Sequence, residues 1–127
     1  MATVLIVDDS PEEREVIAAM VLASGRFEVE TASTGEEALR RIERGGIDLL
    51  LTDFVMPGLD GLQLANRAVE VDPRLDGRIV IVTGGMIGRE DALAFALRTT
   101  VLTKPFTLDQ LLQTLESVLS DSLAQGA

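Results

Sequence analysis

Three acidic residues stand where apolar runs end. Asp8 and Asp9 follow "TVLIV", and Asp53 follows "DLLLT"; Thr83 closes "RIVIVT", and Lys104 comes directly after "TVLT". Carboxylates held within a few ångströms repel one another, which raises their pKa values or demands a cation. An oxygen-only cluster of that kind suits magnesium, which keeps several of its waters. A lysine beside it offers a donor to an anionic group, and a threonine offers a hydroxyl. The set fits phosphoryl chemistry on a carboxylate, provided that folding gathers residues so far apart in the chain.

Composition narrows the alternatives. The chain has no histidine and no cysteine, so the common zinc sites and the Ser-His-Asp and Cys-His catalytic pairs are excluded. With no cysteine there is no disulfide framework, which suits a reducing cytosol. Its 127 residues fit one domain, and a 46% hydrophobic fraction supplies a core. The formal charge of −10 repels phosphate backbones, so no direct nucleic-acid partner is expected. No apolar stretch is long enough to span a bilayer, and "MATVLIVDDS" lacks the features of a signal peptide. A cytoplasmic location without membrane contact is the expectation.

The elements that must position the acids are legible as an alternation. Five apolar runs recur: "TVLIV", "FEVET", "DLLLT", "RIVIVT" and "TVLT". The first, third and fourth are nearly continuous in Leu, Ile and Val, as in strands covered on both faces of a parallel sheet. "FEVET" alternates, as an exposed edge strand does. Ser10, Pro11 and Glu13 open a first helix with a capping box, followed by Val16, Ile17, Met20 and Val21 at helical spacing. Thr34 with Glu37, Asp60 with Gln63 and Thr107 with Gln110 repeat the box before three more helices. A further helix is expected from about Arg89 to Leu97.

Strand and helix thus alternate five times. That points to an α/β fold class, a doubly wound, five-stranded parallel sheet with five helices, and with the alternating "FEVET" at an edge the flavodoxin-like order 2-1-3-4-5 is expected. Residues 1–120 form the domain, and 121–127 a flexible C-terminal tail. In such sheets ligands bind beyond the carboxyl ends of the strands. Asp8, Asp9, Asp53, Thr83 and Lys104 all fall on that rim. Singly each has an ordinary use, since Asp and Thr cap helices and Lys reaches solvent. Together they converge on one site.

The pieces "VLIVDDS", "LLLTDFVMPGLDG", "IVIVTGG" and "LTKPF", in this order and spacing, resemble a receiver domain of the two-component response-regulator family, from about Thr3 to Leu119. The resemblance implies that Asp53 accepts a phosphoryl group from a histidine kinase or a histidine phosphotransfer protein. It implies a Mg2+ cofactor, with Asp9 and Asp53 as direct ligands, Asp8 acting through water, and the Val55 carbonyl completing the set. Lys104 would contact the phosphoryl oxygens, Thr83 would be the switch hydroxyl, and Lys104-Pro105 would be a cis peptide. The domain is then a signalling module that assists its own phosphorylation and dephosphorylation, not an enzyme in the usual sense. Its downstream protein target is not legible.

One departure bears on switching. Many family members carry an aromatic residue three positions before the lysine, and here that residue is Val101. Phosphorylation is then expected to be read through Thr83 and the glycine-rich "TGGMIG" loop. The chain could be a stand-alone regulator or a receiver from a hybrid kinase. Two other readings stand beside the main one. A protein-interaction module working without phosphorylation would not need the intact acid, threonine and lysine set. An aspartate-nucleophile phosphatase would usually place a second acid two residues after the nucleophile, where this chain has Val55.

Overall fold

A computed structural model of the chain describes residues 1–84 and 99–126. Five strands, β1 (Ala2–Val7), β2 (Phe27–Ala32), β3 (Leu49–Asp53), β4 (Ile79–Thr83) and β5 (Thr100–Thr103), form one parallel sheet in the order β2-β1-β3-β4-β5. The expected order is the observed one. Four α-helices lie among the described residues: α1 (Pro11–Ala23), α2 (Gly35–Glu43), α3 (Gly61–Val71) and α4 (Leu108–Gly126). The helix expected from Arg89 to Leu97 falls outside the described residues. Residues 121–126, read from the sequence as a tail, continue α4.

The central strands read as unbroken apolar runs because both of their faces are covered. Leu5, Val7, Leu50, Ile79 and Ile81 pack with Ala38 and Ile42 of α2 and with Leu64, Ala65 and Ala68 of α3. Their chain neighbours Val4, Ile6, Leu49, Leu51, Val80 and Val82 point the other way, onto Ile17 and Val21 of α1 and Leu111, Leu115 and Val118 of α4. The period-two alternation of strand side chains divides each run between the two layers. The stripe on α4 is therefore core.

Two details differ from the expectation. Val16 fits the helical stripe of α1 by spacing, yet it is 59% exposed and takes no part in the core. The capping boxes also divide into two kinds. Asp60 with Gln63 and Thr107 with Gln110 form both reciprocal bonds. At α1 and α2 the cap side chain accepts from the N3 amide, but the glutamate does not fold back onto the cap. Glu37 instead takes the Ser33 amide and hydroxyl. The amide of Ser10 donates to Asp8 Oδ1 at 2.9 Å, which leaves the Glu13 side chain without its usual partner at the cap.

Candidate functional site

The sheet register brings the rim residues to one edge. Asp53 ends β3 opposite Val82 of β4, Thr83 ends β4 opposite Thr103 of β5, and Asp8 follows directly on β1. The amide of Lys104 donates to the Thr83 carbonyl at 2.8 Å, which carries the parallel pairing one step past β5. The Lys104-Pro105 peptide is cis.

Asp8 is the most deeply placed of the acids, 1% exposed. Its Oδ1 accepts from the Ser10 amide, but its Oδ2 is buried with no hydrogen-bond partner among the described residues. Burial pushes the Asp8 carboxyl up to about 6, against the Ser10 amide bond, with the Asp53 and Glu13 carboxylates adding to the rise. Asp53 is only partly exposed, and its Oδ1 accepts from the Phe54 amide at 2.9 Å. Burial raises its pKa as well. Lys104 opposes that rise, and the charges of Glu13 and Asp9 add to it.

The Lys104 ammonium lies 3.7 Å from Asp53 Oδ1 and 2.9 Å from Glu13 Oε2. Desolvation works against its charge, but Glu13 and then Asp53 outweigh it and hold its pKa above the usual lysine value. Glu13 is shifted down in turn, chiefly by its bond to Lys104. One carboxylate oxygen from each of Asp8, Glu13 and Asp53 falls within 4.8 Å of the others. Three acids so close, one with a buried oxygen lacking a donor, fit an oxygen-seeking divalent cation.

Asp8, Asp53 and Lys104 thus meet as the sequence suggested. Asp9 is exposed and lies outside that trio of oxygens, though near enough for its charge to act on Asp53. Thr83 is buried at the rim, and Val55 is 73% exposed in the loop after Asp53. Gly85 to Gly88 of the "TGGMIG" loop lie outside the described residues; Gly84 is exposed beside the Lys104 stem. Val101, in place of the usual aromatic, packs partly buried against the α2 and α3 side of the core.

Glu13 escaped the sequence reading. As the third residue of a helix after Ser-Pro it looked like a capping-box member. The available signal was Asp8 two residues before Ser10: an Asp often accepts from the amide two positions on, and so competes for the cap amide.

Comparison with known proteins identifies the family. The family model described as "Response regulator receiver domain" matches residues 4–116. The receiver protein CpdR of Brucella abortus is 34% identical over 120 residues, covering 94% of this chain and 98% of that protein. The sensor histidine kinase RcsC of Salmonella typhi is 34% identical over 113 residues, covering 88% of this chain but only 12% of its own length. Among solved structures, a response regulator receiver domain protein from Clostridium thermocellum superposes with a TM-score of 0.86 at 27% identity, covering 98% of this chain and 99% of that one. The response regulator TrrA of Thermotoga maritima, in complex with Mg(2+)-BeF, gives 0.81 at 31% identity over 94% of this chain and all of its own. Among the described residues no helix is long and apolar enough to cross a membrane. On the match across most of its length and the shared fold, this chain belongs to the response regulator receiver domains.

Proposed function

We propose that this receiver accepts a phosphoryl group on Asp53 from a phosphohistidine of a histidine kinase or a phosphotransfer protein, and that the modified domain alters its binding to a downstream protein. The observation that carries the reading is the meeting of Asp8, Asp53 and Lys104 at the carboxyl edge of the sheet, with Asp8 Oδ2 buried and lacking a donor. The relative RcsC, itself a sensor histidine kinase, supports a kinase partner. The acidic, cysteine-free composition accords with action in the cytoplasm.

Asp8, Asp9 and Asp53, with the Val55 carbonyl, are the groups assigned to hold magnesium; the TrrA complex supports the choice of ion. When bound, the ion neutralises charge on the acids and on the transferring group. A carboxylate oxygen of Asp53 attacks phosphorus. The bond from phosphorus to the donor nitrogen breaks, and its electron pair leaves on the imidazole. Such transfers run through a loose transition state with charge on the equatorial oxygens, so positioning and electrostatics supply most of the rate. Lys104 donates to those oxygens, and the Thr83 hydroxyl moves toward them afterwards. The sheet holds Asp53 in place, and the loop beyond it leaves the acid accessible to a partner.

The test is direct. Acetyl phosphate and magnesium should add one base-labile phosphoryl group, seen by intact-mass spectrometry, to the wild type and none to Asp53→Asn. Failure of the wild type to label with any small donor, in the presence of magnesium, would overturn the reading.

A further inference from the structure

Lys104 has two anionic neighbours, and the nearer is not the acceptor. Its ammonium hydrogen-bonds Glu13 Oε2 at 2.9 Å, while Asp53 Oδ1 stands at 3.7 Å. The Glu13 side chain is 49% exposed, against 13% for Asp53, so Glu13 reaches the lysine from the solvent side and Asp53 from within. Glu13 is free to do this because Asp8 has taken the Ser10 amide, the group a capping-box glutamate would otherwise bind. Only the Glu13 backbone amide serves the cap, through the Ser10 hydroxyl.

We propose that Glu13 is a positioning residue that occupies the Lys104 ammonium in place of a phosphoryl oxygen and must release it before the phosphoryl group can be bound. The inference rests on Asp53 being the phosphoacceptor. A carboxylate and a phosphoryl group ask the same of a lysine, namely an ammonium hydrogen aimed at an anionic oxygen. They compete for one donor. Glu13 also sets a third negative charge beside Asp8 and Asp53, which an incoming anion must meet. Its half-exposed carboxylate can swing into water, so release strands no buried charge. The contact thus holds Lys104 near the site while raising the threshold for filling it.

The experiment uses beryllofluoride, a phosphoryl mimic, with excess magnesium. Binding is read by calorimetry or fluorine NMR, since the chain has no tryptophan to report by fluorescence. Glu13→Gln removes the competing charge and leaves the backbone cap. It should bind the mimic about five-fold more tightly than wild type, the upper range for one partly exposed ion pair. Glu12→Gln, the same charge change on the preceding residue, should leave affinity unchanged. Equal affinity for wild type and Glu13→Gln, or an equal gain in both variants, would overturn the proposal. So would a loss of affinity for magnesium alone of more than about ten-fold in Glu13→Gln, beyond what removing a neighbouring half-exposed charge costs, because Glu13 would then be a metal ligand. No binding of the mimic by the wild type would overturn the phosphoacceptor reading itself, and this inference with it.

Discussion

A Cβ placed on Gly61 would lie 2.5 Å from the carbonyl oxygen of Asp53 and 2.9 Å from the Cα of Phe54. The first residue of α3 is therefore built against the backbone of Asp53, and the Gly61 amide donates to the Phe54 carbonyl at 2.8 Å. Both contacts involve backbone, which cannot rotate aside as a side chain could. Gly61→Ala should cost about 1–3 kcal/mol in urea unfolding, as overpacking does, and should slow labelling of Asp53. An unchanged unfolding midpoint would show that the loop yields freely.

Asp8 should make the metal-free protein less stable as pH rises. Its carboxyl stands at about 6 in the fold against 3.8 as the ordinary value. A raised acid contributes stability fully below the unfolded value and loses it as pH climbs through the folded one. Asp53 is shifted the same way. Glu30, Glu37 and Asp72 are shifted down by their partners, so their contributions are lost only in more acid solution, outside this window. In chelator, the melting temperature should be higher near pH 5 than near pH 7.5. Magnesium should narrow the difference. Asp8→Asn should raise metal-free stability at the higher pH by about 1–3 kcal/mol, because a neutral amide there has no charge to desolvate, and flatten the pH dependence. A wild-type protein most stable near pH 7.5 in chelator would contradict this account.

Leu115 and Val16 separate core from surface on helices packed to the same face of the sheet. Leu115 is fully buried and Val16 is mostly exposed. Leu115→Ala should cost about 2–5 kcal/mol by denaturant titration, and Val16→Ala no more than about 0.5 kcal/mol. Comparable losses would mean that Val16 is covered in solution.

The contrast shows what kind of information a sequence holds. Hydrophobic period and turn residues identified the strands, because a strand buried on both faces can hardly be written otherwise than in Leu, Ile and Val; their order followed only on reading the alternating "FEVET" as an edge and from the family resemblance. The rim acids were legible because they interrupt those runs. Val16 was not, since helical spacing defines a stripe but not how far the neighbouring layer extends across it. Nor was the difference between Asp8, buried, and Asp9, exposed. Two adjacent acids look alike until the chain leaves β1 and turns one of them inward. Glu13 depended on a competition for the Ser10 amide that only the turn geometry decides.

Thr83 should separate chemistry from its readout. Thr83→Ala should still accept phosphate on Asp53, since Asp53 and Lys104 both remain. The amide NMR shifts that labelling produces at Gly84 and Val101 should largely vanish. Shifts of wild-type size in Thr83→Ala would place the switch elsewhere, and loss of labelling would give the hydroxyl a part in the transfer itself.

Formation of an acyl phosphate on Asp53, at a site that requires a divalent cation, can be read from the chemistry of the adduct. Borohydride converts an aspartyl phosphate to homoserine, so reduction after treatment with acetyl phosphate, followed by peptide mapping, marks the modified residue. Homoserine should appear at position 53 with magnesium and be absent in chelator. Homoserine at another acid, or equal conversion with and without the cation, would contradict it.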